Sequence, residues 1–324
     1  MASLGERAAV DEDGAVGRLR GPVLGLDIGG TKLAAGVVAP DGEVRGFVVA
    51  PAHAERGPDD GLARLFELGH RALAEAGVGE EEIEGVGIGC GGPLDSSRGV
   101  LIAPLHLAGW TNVPVVELAS EAFGRPAVLD NDATAGAAAE HRFGAGRGTQ
   151  NMVYLTISTG VGGGVVIDGV LHRGASGNGG ELGHVTVDWH GRECRGCGRR
   201  GCLEAYASGT SIAERAREAG LDVEGAADVA AAAARGEPVA ARVWDETCEA
   251  LACGITSIAN LFEPEVVVLG GGVVRTGEQL LGPVRRSVTE QAIGPHVKIV
   301  AAALGDAVGV AGAAAIAYER LAAG

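Results

Sequence analysis

Residues 23–38 (VLGLDIGGTKLAAGVV) consist of two apolar runs interrupted by Gly29, Gly30, Thr31 and Lys32, and Pro40, Asp41 and Gly42 supply a turn before apolar character resumes. Short runs of Val, Leu and Ile punctuated by glycine predict strand, tight turn, strand and hairpin. Residues 153–171 (VYLTISTGVGGGVVIDGVL) repeat the plan, with a glycine-rich turn over residues 159–164 and a second turn at Asp168 and Gly169. The repetition predicts two duplicated lobes. Elsewhere the period lengthens. Leu62, Leu65, Leu68 and Leu73 mark one side of a helix over residues 61–76, and residues 242–262 read as another. Strands are predicted again at 83–88, 127–129 and 266–269, so the class is α/β, with mixed sheets built from hairpins and crossovers.

A chain of 324 residues exceeds one typical domain, in keeping with two lobes. Aromatic residues are 3% of it while glycine numbers 56, so the core must rest on aliphatic side chains and close approach of backbones. With 42 acidic against 26 basic residues the net charge is -16, the wrong sign for a nucleic-acid partner. Cys90, Cys248 and Cys253 are scattered through apolar segments, which suits a reducing compartment and predicts a cytoplasmic protein. Residues 1–20 carry acids and glycines where a signal peptide needs an apolar stretch, and read as a disordered tail. The apolar stretch at 307–317 is too short to span a bilayer, so no membrane partner is expected.

The densest chemistry lies in residues 181–204, ELGHVTVDWHGRECRGCGRRGCLE. His184, Cys194, Cys197 and Cys202 stand in an H-x9-C-x2-C-x4-C pattern with Gly196, Gly198 and Gly201 among them. That spacing suits a closed tetrahedral zinc site better than a disulfide pair or inert thiols, in a loop with no apolar core of its own. Glu181 and Glu204 bracket the set. The turns at 29–32 and 159–164 would let bare backbone N–H groups approach a phosphate, with a Thr31 or Thr159 hydroxyl and the Lys32 ammonium nearby, although tight hairpins need glycine in any case. Gly270, Gly271 and Gly272 follow a strand and could let an adenine lie against backbone. Residues 25–32 are not a Walker loop, because Thr31 stands at the lysine position and the turn leads into a strand rather than a helix. Gly87, Gly89 and Gly92 fit a dinucleotide fingerprint only accidentally, since a turn follows. Asp130, Asn131 and Asp132 end a strand and open an Ala-rich helix, where ligands of α/β proteins bind; Asp132 reads either as a helix cap or as a base.

LGLDIGGTKLAAGVV, LDNDATAGAA, STGVGGG, GGELGH and the cysteine cluster running into GCLEAYASG together resemble the ROK family of sugar kinases and repressors, from residue 22 to the C-terminus. The resemblance implies the actin-like ATPase (ribonuclease H-like) duplicated fold, with two lobes and a central cleft. A small lobe would span 21–130, with a C-terminal helix at about 305–324 packing back on it. A large lobe would span 131–304 and carry the zinc loop 184–202. Asp132 matches the family's catalytic base. Gly91, Gly92, Asn131, Glu181, His184 and Glu204 match its sugar contacts, and His184, Cys194, Cys197 and Cys202 its zinc ligands. Asp27, Gly29, Gly30, Thr31 and Lys32 match the first phosphate motif, Thr159, Gly160, Gly162 and Gly163 the second, and Gly270, Gly271 and Gly272 the adenosine side.

Two departures stand out. The first two cysteines are spaced C-x2-C where the family commonly has C-x-C, and Leu105 and His106 stand where its kinases often place an Asn before Leu. The activity implied is ATP-dependent phosphorylation of a hexose, foremost glucose at its 6-hydroxyl, with Mg2+ near Asp27 and a structural Zn2+. Kinases of N-acetylmannosamine, N-acetylglucosamine or fructose are the alternatives. A sugar-responsive repressor would need a DNA-binding domain ahead of residue 22. The family usually forms dimers, so a homodimer or higher homo-oligomer is expected.

Overall fold

Each glycine-turn segment opens a five-stranded sheet in the computed structural model, which describes residues 19–175, 177, 179–294 and 297–322. The leader expected to be a disordered tail lies outside the described residues, apart from Arg20 and residue 19. In the first unit β1 (Val23–Ile28), β2 (Lys32–Val38) and β3 (Val44–Pro51) form a meander. The leucine-striped α1 (Pro58–Ala76) then leads to β4 (Gly85–Cys90), the small hairpin β5 (Leu94–Asp95) and β6 (Val100–Leu101), α2 (Val115–Phe123) and β7 (Ala127–Asn131). Helix α3 (Asp132–Arg142) follows without a loop. The strand order is β3-β2-β1-β4-β7, with β1, β4 and β7 mutually parallel.

The second unit repeats that order. Strands β8 (Met152–Ile157), β9 (Val161–Ile167) and β10 (Val170–Leu171) are the hairpins. Helices α4 (Glu204–Ala207), α5 (Gly209–Glu218), α6 (Ala226–Ala234) and α7 (Pro238–Phe262) precede β11 (Val266–Gly270), and α8 (Glu278–Gln291) precedes β12 (Lys298–Ala301). The sheet runs β10-β9-β8-β11-β12, again with three parallel strands on one side of an antiparallel hairpin. By compactness the chain divides into Met1–Asp132 with Gly309–Gly324, and Ala133–Val308.

Local causes account for the element ends. Helix α1 starts three residues before the predicted stretch because Pro58 occupies its first turn, where a missing N–H costs nothing, and Asp59 and Asp60 face the helix dipole. Gly77, at φ 67°, closes it in the left-handed conformation. Helix α7 starts at Pro238 rather than 242, since the Glu237 side chain accepts from the Ala240 N–H at 2.5 Å. Close approach of backbones is seen at the final helix, α9 (Val308–Arg320), whose Val310 and Ala313 lie directly on the first sheet. A Cβ on Gly87 would fall 1.8 Å from the Ala313 carbonyl oxygen, and one on Gly25 2.2 Å from that of Val310. Gly87→Ala must displace α9, and is expected to cost about 3 kcal/mol in urea denaturation, the upper range for overpacking; a loss under about 0.5 kcal/mol would mean that α9 does not seat as described.

Candidate functional site

Parallel strands end together, and the first unit uses this to gather its chemistry. The register places Asp27 of β1 beside Gly89 of β4 and Gly89 beside Asp130 of β7; one residue on, Ile28, Cys90 and Asn131 are aligned. The carboxyl ends of these strands therefore present Asp27, Gly91, Gly92, Asn131 and Asp132 on one edge, where α/β sheets bind ligands. Between β1 and β2 the turn is closed by Gly29 N–H donating to the Lys32 carbonyl at 3.0 Å, which leaves Thr31 and the Lys32 side chain exposed. Because β2 follows at once, the turn offers backbone N–H groups without a helix dipole, as expected for something other than a Walker loop.

Asp27 is half-buried and closely packed by α9. A Cβ on Gly309 would lie 2.3 Å from its Oδ2, so only glycine lets α9 begin there. Burial pushes the Asp27 carboxyl up from 3.8 to about 7, the charge of Asp132 adds to the rise, and Lys32 opposes it. Asp27 and Asp132 thus share one electrostatic neighbourhood, a natural seat for a divalent cation. The sign of the pH effect follows: between about pH 4 and pH 7 the folded chain holds a proton that the unfolded chain releases, so this group's contribution to stability falls as pH rises through that window. In Mg2+-free buffer the melting-temperature gain of Asp27→Asn over the parent should grow between about pH 5 and pH 8. A gain independent of pH would contradict the raised pKa.

The second unit brings together the glycine turn, the two glutamates and the cysteines. The β8–β9 turn is closed by Ser158 N–H donating to the Gly160 carbonyl at 2.9 Å, and Thr159 is exposed at its tip. Gly162 and Gly163 have an internal reason to be glycine, since Cβ atoms there would lie 2.6 Å from Ala133 Cβ and 2.8 Å from Leu182 Cδ1. Glu181 precedes a 3-10 turn, Leu182–His184, and its Oε2 lies 3.9 Å from His184 Nε2. The other imidazole nitrogen faces the cysteines: His184 Nδ1 is 3.7 Å from Cys194 Sγ, and Cys197 Sγ is 3.5 Å from Cys202 Sγ. All four ligand atoms lie within 4.8 Å of one another. Zinc–ligand bonds of about 2.0–2.3 Å would set tetrahedral edges of roughly 3.3–3.8 Å. The His184–Cys194 and Cys197–Cys202 pairs match that edge, and the set as a whole, within 4.8 Å, is looser, so the donors suit zinc in type and number and would draw together around it. Cys194 converges with the rest despite its C-x2-C spacing. Burial pushes its thiol up to about 12, so coordination must displace that proton.

Glu204, at the start of α4, has a role that spacing did not suggest. Its Oε2 accepts from the Val161 N–H at 3.0 Å and its Oε1 accepts from the Cys194 thiol at 3.3 Å. Cβ atoms on Gly160 and Gly196 would strike these two oxygens at 2.8 and 2.5 Å. The carboxylate therefore connects the β8–β9 turn to the cysteine loop.

A cavity of about 750 Å³ opens beside that turn, between Thr159, Thr210, Trp244, Gly272, Arg275 and Gln279 among others. Its volume is in the range of ligand sites. Gly272, expected on the adenosine side, is among the residues lining this cavity. Gly271, at φ 91° and with Ile157 backbone 2.3 Å from a would-be Cβ, supplies the bend instead, and Gly270 packs on Tyr154. The walls from α5, α6 and α7 escape sequence reading, because Thr210 and Trp244 carry no local motif.

The ROK family description matches residues 23–320. Over 316 residues the chain is 37% identical to a glucokinase of Thermotoga maritima, covering 92% of this chain and 98% of that protein. The crystal structure of a ROK hexokinase from Thermus thermophilus superposes with a TM-score of 0.82 at 40% identity, covering 94% of this chain and 100% of that one. A ROK family glucokinase from Streptomyces griseus, in complex with glucose and AMPPNP, superposes with a TM-score of 0.76 at 33% identity, covering 92% and 100%. The fold is the two-lobed actin-like ATPase fold of these sugar kinases. The chain belongs to the ROK family.

Proposed function

We propose that the chain is an ATP-dependent hexose kinase that phosphorylates glucose at its 6-hydroxyl. The observation that carries this reading is the placement of Asp132 at the carboxyl end of β7, in the same electrostatic neighbourhood as Asp27 and one residue from Asn131. The glucose and AMPPNP held by the Streptomyces griseus relative support the choice of acceptor and donor. Asp132 takes the proton of the acceptor hydroxyl as the γ-phosphoryl group arrives, while Asn131 and the backbone at Gly91 and Gly92 hold the sugar. Glu181, His184 and Glu204 supply further contacts to ring hydroxyls. The turns at Gly29, Gly30, Thr31 and Lys32 and at Thr159 and Gly160 hold phosphates, the cavity lined by Gly272 takes the adenosine, and Asp27 would help hold Mg2+, which would offset the phosphate charge.

Zinc bound by His184, Cys194, Cys197 and Cys202 would be saturated by protein, with no position for a water, and so serve structure rather than chemistry. Among the described residues no helix is long and apolar enough to cross a membrane, and cytoplasmic residence is proposed on the cysteine usage. A homodimer or higher homo-oligomer should appear in light scattering. The acceptor is tested by coupled ADP release over glucose, N-acetylmannosamine, N-acetylglucosamine, fructose and mannose. Glucose should give the highest kcat/KM; a preference for an N-acetylhexosamine of about tenfold or more would move the assignment to that class.

A further inference from the structure

His106 belongs to none of the roles above, yet it stands between two of them. Its loop is tied to the acceptor side, because the Leu105 N–H donates to the Gly92 carbonyl at 3.3 Å and the Ile102 N–H to that of Pro93 at 3.1 Å. At the far end the buried Trp110 fixes the loop on α1, where a Cβ on Gly61 would lie 2.4 Å from the indole. The imidazole is thereby held between two glycines. A Cβ built on Gly30, in the first phosphate turn, would lie 3.3 Å from His106 Cδ2, and one built on Gly91 would lie 2.5 Å from Cε1. Nε2 is bonded to both of these ring carbons, so it occupies the gap between the phosphate turn and the Gly91–Gly92 backbone.

Among the described residues neither ring nitrogen of His106 has a hydrogen-bond partner in the protein, and the residue is only half-buried. The Asp132 carboxylate, and Asp27 when ionised, repel an incoming phosphoryl group, and Lys32 moderates Asp27. A donor at Nε2 would add to Lys32 and the turn N–H groups a contact placed on the acceptor side of the phosphoryl group. Asn, which kinases resembling this chain often place before the Leu of this loop, ends at the positions of Nδ1 and Cδ2 and has no atom at Nε2.

Building on the hexose kinase reading, we propose that His106 Nε2–H donates a hydrogen bond to the phosphoryl group as it passes from ATP to the sugar hydroxyl, which makes His106 a catalytic residue. No bond to His106 forms and its proton stays on Nε2. The bond from phosphorus to the ADP oxygen breaks, the bond to the sugar oxygen forms, and the hydroxyl proton goes to Asp132. A preorganised donor aimed at transferring charge typically contributes through kcat rather than through ground-state affinity.

The test compares His106→Asn, which lacks an atom at Nε2, with His106→Gln, whose longer side chain returns an amide nitrogen to that place. Steady-state kinetics and calorimetric titration with glucose and with glucose 6-phosphate are measured on each full-length protein. His106→Asn should lose about 10² in kcat, bind glucose 6-phosphate about tenfold more weakly, and bind glucose within about threefold of the parent. His106→Gln should recover part of the kcat and of the glucose 6-phosphate affinity. Equal losses for glucose and glucose 6-phosphate would make His106 a sugar contact alone, and unchanged values a packing residue; either overturns the proposal. A parent protein that binds no glucose would instead overturn the kinase reading itself, and the proposal with it.

Discussion

Asp132→Asn is expected to lower kcat by about 10³ while leaving the melting temperature and glucose affinity close to those of the parent. The substitution separates the two readings that the sequence left open for this residue. Asp132 opens α3, where an acidic or short polar side chain suits the free N–H groups of the first turn, and Asn serves a helix start as well as Asp does. A structural cap would thus survive the change. A base would not, because a carboxamide accepts no proton from the acceptor hydroxyl at neutral pH. Removal of the Asp132 charge also relieves its push on Asp27, so the Asp27 carboxyl should titrate lower in the variant. Retention of more than about a tenth of the parental kcat would leave Asp132 with a structural role only.

Loss of the metal should have the second large effect, and a particular signature. Metal analysis with thiol titration should give about one zinc per chain, protecting three thiols. Cys202→Ser, or prolonged chelation, should lower thermal stability and weaken glucose binding about tenfold or more, in the range seen when metal-site support is removed. Because the Glu204 carboxylate lies against Cys194 and also accepts from the Val161 N–H beside the β8–β9 turn, a cysteine loop that shifts on metal loss should move that turn, and the KM for ATP should rise as well. A glucose effect without an ATP effect would show that Glu204 does not transmit disorder from the cysteine loop to the turn.

Much of this architecture was legible because it is local. Glycine turns between short aliphatic runs mark both hairpins, the leucine stripe marks α1, and one strand-to-helix junction marks Asp132. The cysteine loop announces itself by ligand type and spacing. What was not legible is assembled over long separations or by atoms that carry no pattern. The cavity beside Thr159 draws walls from α5 through α7, and Trp244 within α7 looks like any core residue until the fold turns it toward Gly272. The bond from Glu204 to Val161 crosses 43 positions, and His106 is placed by two glycines that lie 61 positions apart. Short strands such as β12 were missed because residues 298–301 (KIVA) are too few to show alternation. Gly162 and Gly163 carry the opposite lesson: close packing on Ala133 and Leu182 explains them without any ligand.

The most direct test mixes the protein with ATP, Mg2+ and glucose and follows both products by phosphorus NMR. The expected result is ADP and glucose 6-phosphate appearing together in a one-to-one ratio, with neither formed when glucose is omitted. ADP release that is unchanged without sugar, or that yields no phosphorylated sugar, contradicts a hexose kinase.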